Sequence, residues 1–264
     1  MARVSAASLQ RLRRKGEKIA CLTAYDAGCA AILDSAGVEV VLVGDSLGMV
    51  LHGEATTLHV RMQDMIYHTR LVRRGVRRAL LATDLPFLSY ATPAQALGNA
   101  GRLVREAGAE MVKLEGGAEL TETVRLLVGA GIPVCGHLGL RPQSVLRLGG
   151  YRAPKRKRED DDRLLEDALA LQEAGAALLV LECVPAALAQ RVTAALSIPT
   201  IGIGAGPHCD GQVLVLYDLL GIGERRPSFS RDFLATGGGI RGAVREYVRQ
   251  VKDGGFPGAA ETPA

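Results

Sequence analysis

Five short apolar runs each end in an ionisable side chain, and this recurrence constrains the fold more than any other feature of the chain. VLVGDS (41–46) reaches Asp45, ALLATD (79–84) reaches Asp84 and MVKLE (111–115) reaches Glu115. IPVCGH (132–137) reaches His137, and ALLVLE (177–182) reaches Glu182. A parallel strand covered on both faces reads as an unbroken apolar run. A charged group is tolerable only where such a strand leaves the core. Five strands ending this way point to one shared mouth, the C-terminal face of a (β/α)8 barrel, where active sites of that fold collect.

The alternation can be counted. Strands are predicted over 18–24, 38–44, 79–85, 111–117, 132–139, 177–183, 198–206 and 213–221. Helices are predicted over 27–36, 62–74 and 93–107, then after the fourth strand to about 128, and over 160–174, 186–196 and 240–252. Thr92 before Pro93 has the form of an N-cap followed by proline at the first helical position. Gly108 has the form of the matching C-cap. Such alternation implies a parallel sheet. Eight strands with no break in composition favour a closed barrel over a doubly wound open sheet. At 264 residues the chain has the usual length of one α/β barrel, so one domain over 1–264 is expected. It carries a short N-terminal extension and a long loop over 140–158. Its Gly/Pro/Ala-rich tail, about 254–264, is expected to fray.

With 48% apolar and 23% charged residues the chain can bury a large core. A net charge of +4, no tryptophan and only 4% aromatics argue against nucleic acid as a partner. KRKRED (155–160) reads as a solvated turn. No apolar stretch has the length to cross a membrane. Arg11, Arg13, Arg14 and Lys15 are followed by no apolar segment, unlike a secretory signal. Five cysteines in no CxxC spacing imply reduced thiols and a cytoplasmic setting. Cys21, Cys135 and Cys183 lie in apolar runs and read as small buried hydrophobes.

The chemistry follows from the strand ends. Asp45 and Asp84 fall on neighbouring strands, and two carboxylates held together without a cation repel. A divalent cation resolves this, since Mg²⁺ takes one or two protein carboxylates and leaves places for substrate oxygens. Glu115 would be a third ligand or a group behind the ligands. Any one of these acids alone reads more readily as a helix cap or an arginine partner than as a ligand; three on consecutive strands reverse that preference in favour of a metal. Ser46 would bond a substrate carboxylate or cap its turn. Lys113 shares a strand face with Glu115 by the period of two. It would bind an anion or an enolate, or form an ion pair with Glu115. His137 reads as a proton shuttle, an auxiliary substrate contact or a satisfied core histidine. With no second histidine nearby it is a poor metal ligand. Glu182 lies across the barrel from the aspartates, which suits a general base better than a ligand. GIGAG (202–206) is either a ligand-approach loop or a tight turn.

The chain closely resembles the ketopantoate hydroxymethyltransferase family. The strings that carry this are LTAYD (22–26), VLVGDSLGMV (41–50), TTLHV (56–60), MIYHTRLVRRG (65–75), DLPFLSY (84–90), VKLEGG (112–117), PVCGHLGLRPQSV (133–145), GGY (149–151), LLVLECVP (178–185) and IGIGAGPHCDGQVLV (201–215). The resemblance implies a TIM barrel of the phosphoenolpyruvate/pyruvate type. It implies hydroxymethyl transfer from 5,10-methylenetetrahydrofolate, as co-substrate, to 3-methyl-2-oxobutanoate, giving 2-dehydropantoate and tetrahydrofolate in pantothenate biosynthesis. It implies one Mg²⁺ per subunit on Asp45 and Asp84 with Glu115 close by. It implies substrate contacts from Ser46 and Lys113, Glu182 as proton acceptor, and a homodecamer built as a pentamer of dimers. The departures are peripheral: His59 stands where proline is usual, Ala27 for a bulkier residue and Ser228 for a basic one. The nearest alternative is a Mg-dependent 2-oxo acid lyase of the same barrel superfamily. Such enzymes commonly need a loop cysteine, and only Cys209 falls in a suitable loop. A non-catalytic barrel is disfavoured by the intact acids at the strand ends.

Overall fold

The computed structural model describes residues 3–150, 158–223 and 226–262. Eight parallel strands close into a barrel in sequence order. They are β1 (Ile19–Thr23), β2 (Val40–Val43), β3 (Leu80–Asp84), β4 (Met111–Glu115), β5 (Val134–Gly139), β6 (Leu178–Glu182), β7 (Thr200–Ile203) and β8 (Gly211–Leu214). β8 pairs back onto β1 with Gly211 opposite Ile19.

The apolar runs are unbroken because the strands are covered on both sides. Alternate residues fill two separate clusters. Cys21, Leu80, Ala82, Met111, Cys135, Leu178, Val180 and Ile201 pack inside the barrel. Leu22, Val41, Leu81, Val112, Leu114 and Leu179 pack outward against the helices. This parity decides where the polar strand ends point. Asp84 follows Leu80 and Ala82, Lys113 and Glu115 follow Met111, His137 follows Cys135, and Glu182 follows Leu178 and Val180. All five therefore stand on the inward face at the C-terminal end.

Most helices lie where their periodicity placed them. Pro93–Ala107 starts with the Thr92 hydroxyl accepting from the Gln95 N–H and ends at Gly108 in the left-handed region. The Ile240–Lys252 helix buries Ala243, Val244, Tyr247 and Val251 along one face.

Several expectations need correction. The N-terminal extension contains a helix, Ala6–Arg14, whose Leu9 is fully buried and joins the barrel-interior cluster from below. The eighth strand is Gly211–Leu214, not 213–221. Only glycine fits at its start, since a Cβ on Gly211 would lie 2.2 Å from the Ile19 carbonyl oxygen. The Leu216 N–H leaves the ladder for the Thr23 hydroxyl, and Leu216, Leu219 and Leu220 are buried at helical spacing. The 140–158 loop contains helical turns at Pro142–Ser144 and Val145–Leu148. The seventh strand stops at Ile203, and GIGAG is a packed turn: the Cβ positions of Gly204 and Gly206 are taken by Phe229 and Ala186. The tail is docked, not frayed, through residue 262. Phe256 stacks edge-on against Phe233 and Tyr247, and Glu261 pairs with Arg231 at 2.8 Å. Tyr151 and the first three residues of KRKRED lie outside the described residues; Arg158 opens the helix to Glu173.

Candidate active site

All seven residues singled out in the sequence line one cavity of about 560 Å³ at the C-terminal mouth of the barrel. Its floor is polar. The rest of its lining is mostly apolar, with Leu140, Ile203, Tyr217 and Phe229 among the residues nearer the rim and Val180 deeper on β6.

Asp84 is the hub of the floor. It is the register partner of Lys113 across β3 and β4, and Lys113 Nζ donates to its Oδ1 at 2.8 Å. Its Oδ2 accepts the Asp45 backbone N–H at 3.1 Å. That bond fixes the turn after β2 and holds two carboxylates together. Lys113 thus pairs with Asp84, not with Glu115 as the period of two suggested. Lateral neighbours in a barrel lie as close as same-face neighbours on one strand.

The electrostatics carry the mark of an incomplete charge set. Burial, then Asp84 and Glu115, push the Asp45 carboxyl well above the usual carboxylate range. Burial opposes the Lys113 charge, but Asp84, Glu115 and Asp45 outweigh it and hold the ammonium more firmly protonated than usual. Burial raises Glu115 too, but His137, Lys113 and the Gln143 N–H more than offset it, leaving Glu115 below its ordinary value.

His137 stands between two carboxylates. Nδ1 is 3.5 Å from Glu115 Oε1 and Nε2 is 3.3 Å from Glu182 Oε2. These are ion contacts; neither nitrogen makes an aligned hydrogen bond. Burial and Lys113 pull its pKa down, yet the two glutamates prevail and push it up to about 9. At neutral pH it is an imidazolium that links the floor to Glu182.

Gln143 escaped sequence reading. Its backbone N–H donates to Glu115 Oε2 at 3.0 Å. Its side-chain Nε2 donates to Asp45 Oδ2 at 2.8 Å and to the Leu85 carbonyl at 3.0 Å. One residue from the β5 loop therefore orients both acids. Tyr25 does the same for Ser46, with hydroxyl oxygens 2.9 Å apart. Gly139 permits the approach of β5 to β6, because a Cβ there would lie 2.1 Å from the Glu182 carbonyl.

Cys183 is not the buried hydrophobe its run suggested. It is half-buried, lines the cavity and takes a left-handed backbone, with φ 49°. Burial, then Glu182, push its thiol up to about 12, so it is no nucleophile at neutral pH. Cys209 is fully buried.

Among the described residues no group of three His, Cys, Asp or Glu side chains forms a metal cage. The Asp45–Asp84 pair, whose repulsion Lys113 and Gln143 offset only in part, lines the cavity and fits a hydrated Mg²⁺, which needs only one or two carboxylates. No helix among the described residues is long and apolar enough to cross a membrane.

The neighbours in structure share the barrel. Phosphonopyruvate hydrolase, solved with oxalate and Mg²⁺, aligns with a TM-score of 0.63 at 13% identity, over 98% of this chain and 93% of its own. 2,3-Dimethylmalate lyase, a PEP mutase/isocitrate lyase superfamily member, aligns at 0.59 and 18%, over 83% and 82%. Sequence likeness is far stronger. The 3-methyl-2-oxobutanoate hydroxymethyltransferase of Methylococcus capsulatus is 59% identical over 97% of this chain and 95% of its own length. That of Nitrosococcus oceani is 58% identical over 97% and 98%. The family model described as ketopantoate hydroxymethyltransferase matches residues 3–259. With that span and those identities, the chain belongs to the ketopantoate hydroxymethyltransferase family.

Proposed function

We propose that the protein transfers a hydroxymethyl group from 5,10-methylenetetrahydrofolate to 3-methyl-2-oxobutanoate, giving 2-dehydropantoate and tetrahydrofolate on the route to pantothenate. The observation that carries this, beside family membership, is the convergence of the Asp45–Asp84 pair, Lys113 and the opposed Glu182 on one cavity. A 2-oxo acid presents two adjacent oxygens and a weakly acidic C3–H, and this cavity answers both.

Asp45 and Asp84 would hold one Mg²⁺ per subunit, with Glu115 acting through Gln143, whose side chain also reaches Asp45. When bound, Mg²⁺ supplies Lewis-acid polarisation of the keto oxygen and makes the enolate accessible. The rest falls to the chain's own groups. Lys113 and the Ser46 hydroxyl balance and orient the substrate carboxylate. Glu182 takes the C3 proton. The adjacent His137 imidazolium steadies the Glu182 carboxylate and links it to Glu115. Both bonds from the methylene carbon to the folate nitrogens break, with a proton delivered to each nitrogen; water supplies the oxygen that becomes the hydroxyl, and the C3 carbon bonds to the one-carbon unit. Family membership also supports a cytoplasmic homodecamer, a pentamer of dimers, which light scattering of the purified protein tests.

The deciding assay supplies 3-methyl-2-oxobutanoate and methylenetetrahydrofolate with Mg²⁺ and follows 2-dehydropantoate. Formation of that product at turnover rates is expected. Folate-independent cleavage of a 2-oxo acid, with no hydroxymethyl transfer, would replace the reading by a lyase.

Lys113→Ala is expected to weaken 2-oxo acid binding and slow turnover, because it removes the cation on the floor. It should also lower stability by about 3–5 kcal/mol, the usual cost of breaking a buried pair, since Asp84 loses its partner. Kinetics and thermal melts on the same preparation check both. Unchanged affinity for the acid would confine Lys113 to a structural role.

A further inference from the structure

The cavity holds one carboxylate to which the reaction above gives no task. Asp218 lies in the short helical turn Leu216–Leu219 just beyond β8 and lines the upper wall with Glu182, Cys183, Tyr217 and Phe229. Its side chain is half-buried. Among the described residues, neither a hydrogen-bond donor nor a cation engages its carboxylate. A lone carboxylate placed in an apolar wall and within the field of a second carboxylate is unfavourable in the resting protein.

Its position separates it from the floor. The 2-oxo acid is small and is claimed by Ser46, Lys113 and the aspartates. The apolar and aromatic wall from β6 to the turn after β8 bounds the part of the remaining volume next to Glu182, and a flat folate donor is the remaining substrate. The methylene carbon must come within bonding approach of C3, about 3–3.5 Å before reaction. C3 is where Glu182 works. The donor's reacting nitrogens must therefore lie against the wall that Glu182 shares with Asp218.

We propose that Asp218 is the acid that opens the one-carbon donor. Its carboxylic proton passes to N10 as the N10–CH2 bond breaks with its electron pair going to N10. The N5 lone pair forms the N5=CH2 iminium. Water adds to that carbon, and the carbon–N5 bond then breaks with its electron pair going to N5, which takes one hydrogen of the water; the formaldehyde so formed in place is the electrophile for C3. The other water hydrogen ends on the product hydroxyl, and over a turnover the C3 proton taken by Glu182 restores Asp218.

The surroundings keep such an acid available. Burial, then Glu182, push the Asp218 carboxyl up to about 6, so a usable fraction is protonated near neutral pH. The other titratable groups on this wall are Tyr217, Tyr25 beneath it and Cys183. Burial raises all three, leaving Glu182 as the charged neighbour.

This inference rests on the folate-dependent reading above. The test compares two activities of Asp218→Asn: hydroxymethyl transfer, and exchange of the C3 hydrogen in deuterated water without folate. The ratio of transfer to exchange should fall about 10²-fold or more, the usual contribution of a positioned acid. The KM for methylenetetrahydrofolate should stay near the wild-type value. An unchanged ratio overturns the proposal, as does a raised KM with wild-type kcat, which would make Asp218 a binding residue only. Parallel loss of transfer and exchange also overturns it. Wild-type protein that fails to transfer at all sinks the functional reading instead.

Discussion

Asp45→Asn is expected to abolish turnover while leaving the metal-free protein as stable as the wild type or more so. The Asp45 carboxyl is held above its ordinary value by burial and by Asp84 and Glu115. A carboxyl whose folded pKa is raised binds its proton more tightly folded than unfolded. Stability is then lost as pH rises from the unfolded value toward the folded one, and the ionised group is a net cost at neutral pH. Asparagine removes that cost and keeps an oxygen for the Gln143 amide. Asp84→Ala behaves differently. It removes the partner of Lys113, which is only 6% exposed, so a cost of about 3–5 kcal/mol accompanies the loss of activity. Melts with and without Mg²⁺ decide the matter. The ion should raise the wild-type melting temperature and leave Asp45→Asn unmoved. An active Asp45→Asn, or full wild-type activity in EDTA, would sink the metal assignment.

The barrel and the convergence of the strand-end residues on one cavity were legible because the barrel converts sequence parity into geometry. Once Leu80 and Ala82 are known to face inward, Asp84 must also, and the same holds for Lys113, Glu115, His137 and Glu182. What parity cannot supply is lateral register. Nothing local to β4 says that Lys113 stands opposite Asp84 rather than reaching along its own strand to Glu115. Gln143 was invisible for a related reason. It lies in the loop after β5, close to the acids only through the closed barrel, and its Pro-Gln-Ser context signals a turn and no chemistry. Strand 8 was misplaced because the apolar stretch from Val213 serves two elements in succession. Val213 and Leu214 finish the barrel, while Leu216, Leu219 and Leu220 already follow a helical period. The tail looked frayed because its composition is that of loose chain, yet Phe256 and Glu261 find partners made by distant segments.

Glu182→Gln is the substitution that separates base from ligand. It keeps shape and volume and removes basicity. If Glu182 takes the C3 proton, the variant still binds Mg²⁺ and 3-methyl-2-oxobutanoate. It loses exchange of the C3 hydrogen with deuterated water by a factor of about 10² to 10⁴, the range for a positioned base. The structure adds a second readout that does not depend on turnover. Glu182 is one of two carboxylates that push His137 up to about 9, against burial and Lys113. Its neutralisation should lower the His137 pKa, which NMR of the imidazole in metal-free protein follows directly. A proton reaching Glu182 weakens the hold on the His137 imidazolium, whose other partner, Glu115, is tied through Gln143 to the Asp45 side chain. The Glu182 carboxylate and the charge of the aspartate floor are thereby linked through His137, Glu115 and Gln143. Near wild-type exchange in Glu182→Gln would move the base elsewhere on that chain, and loss of Mg²⁺ binding would return Glu182 to the metal.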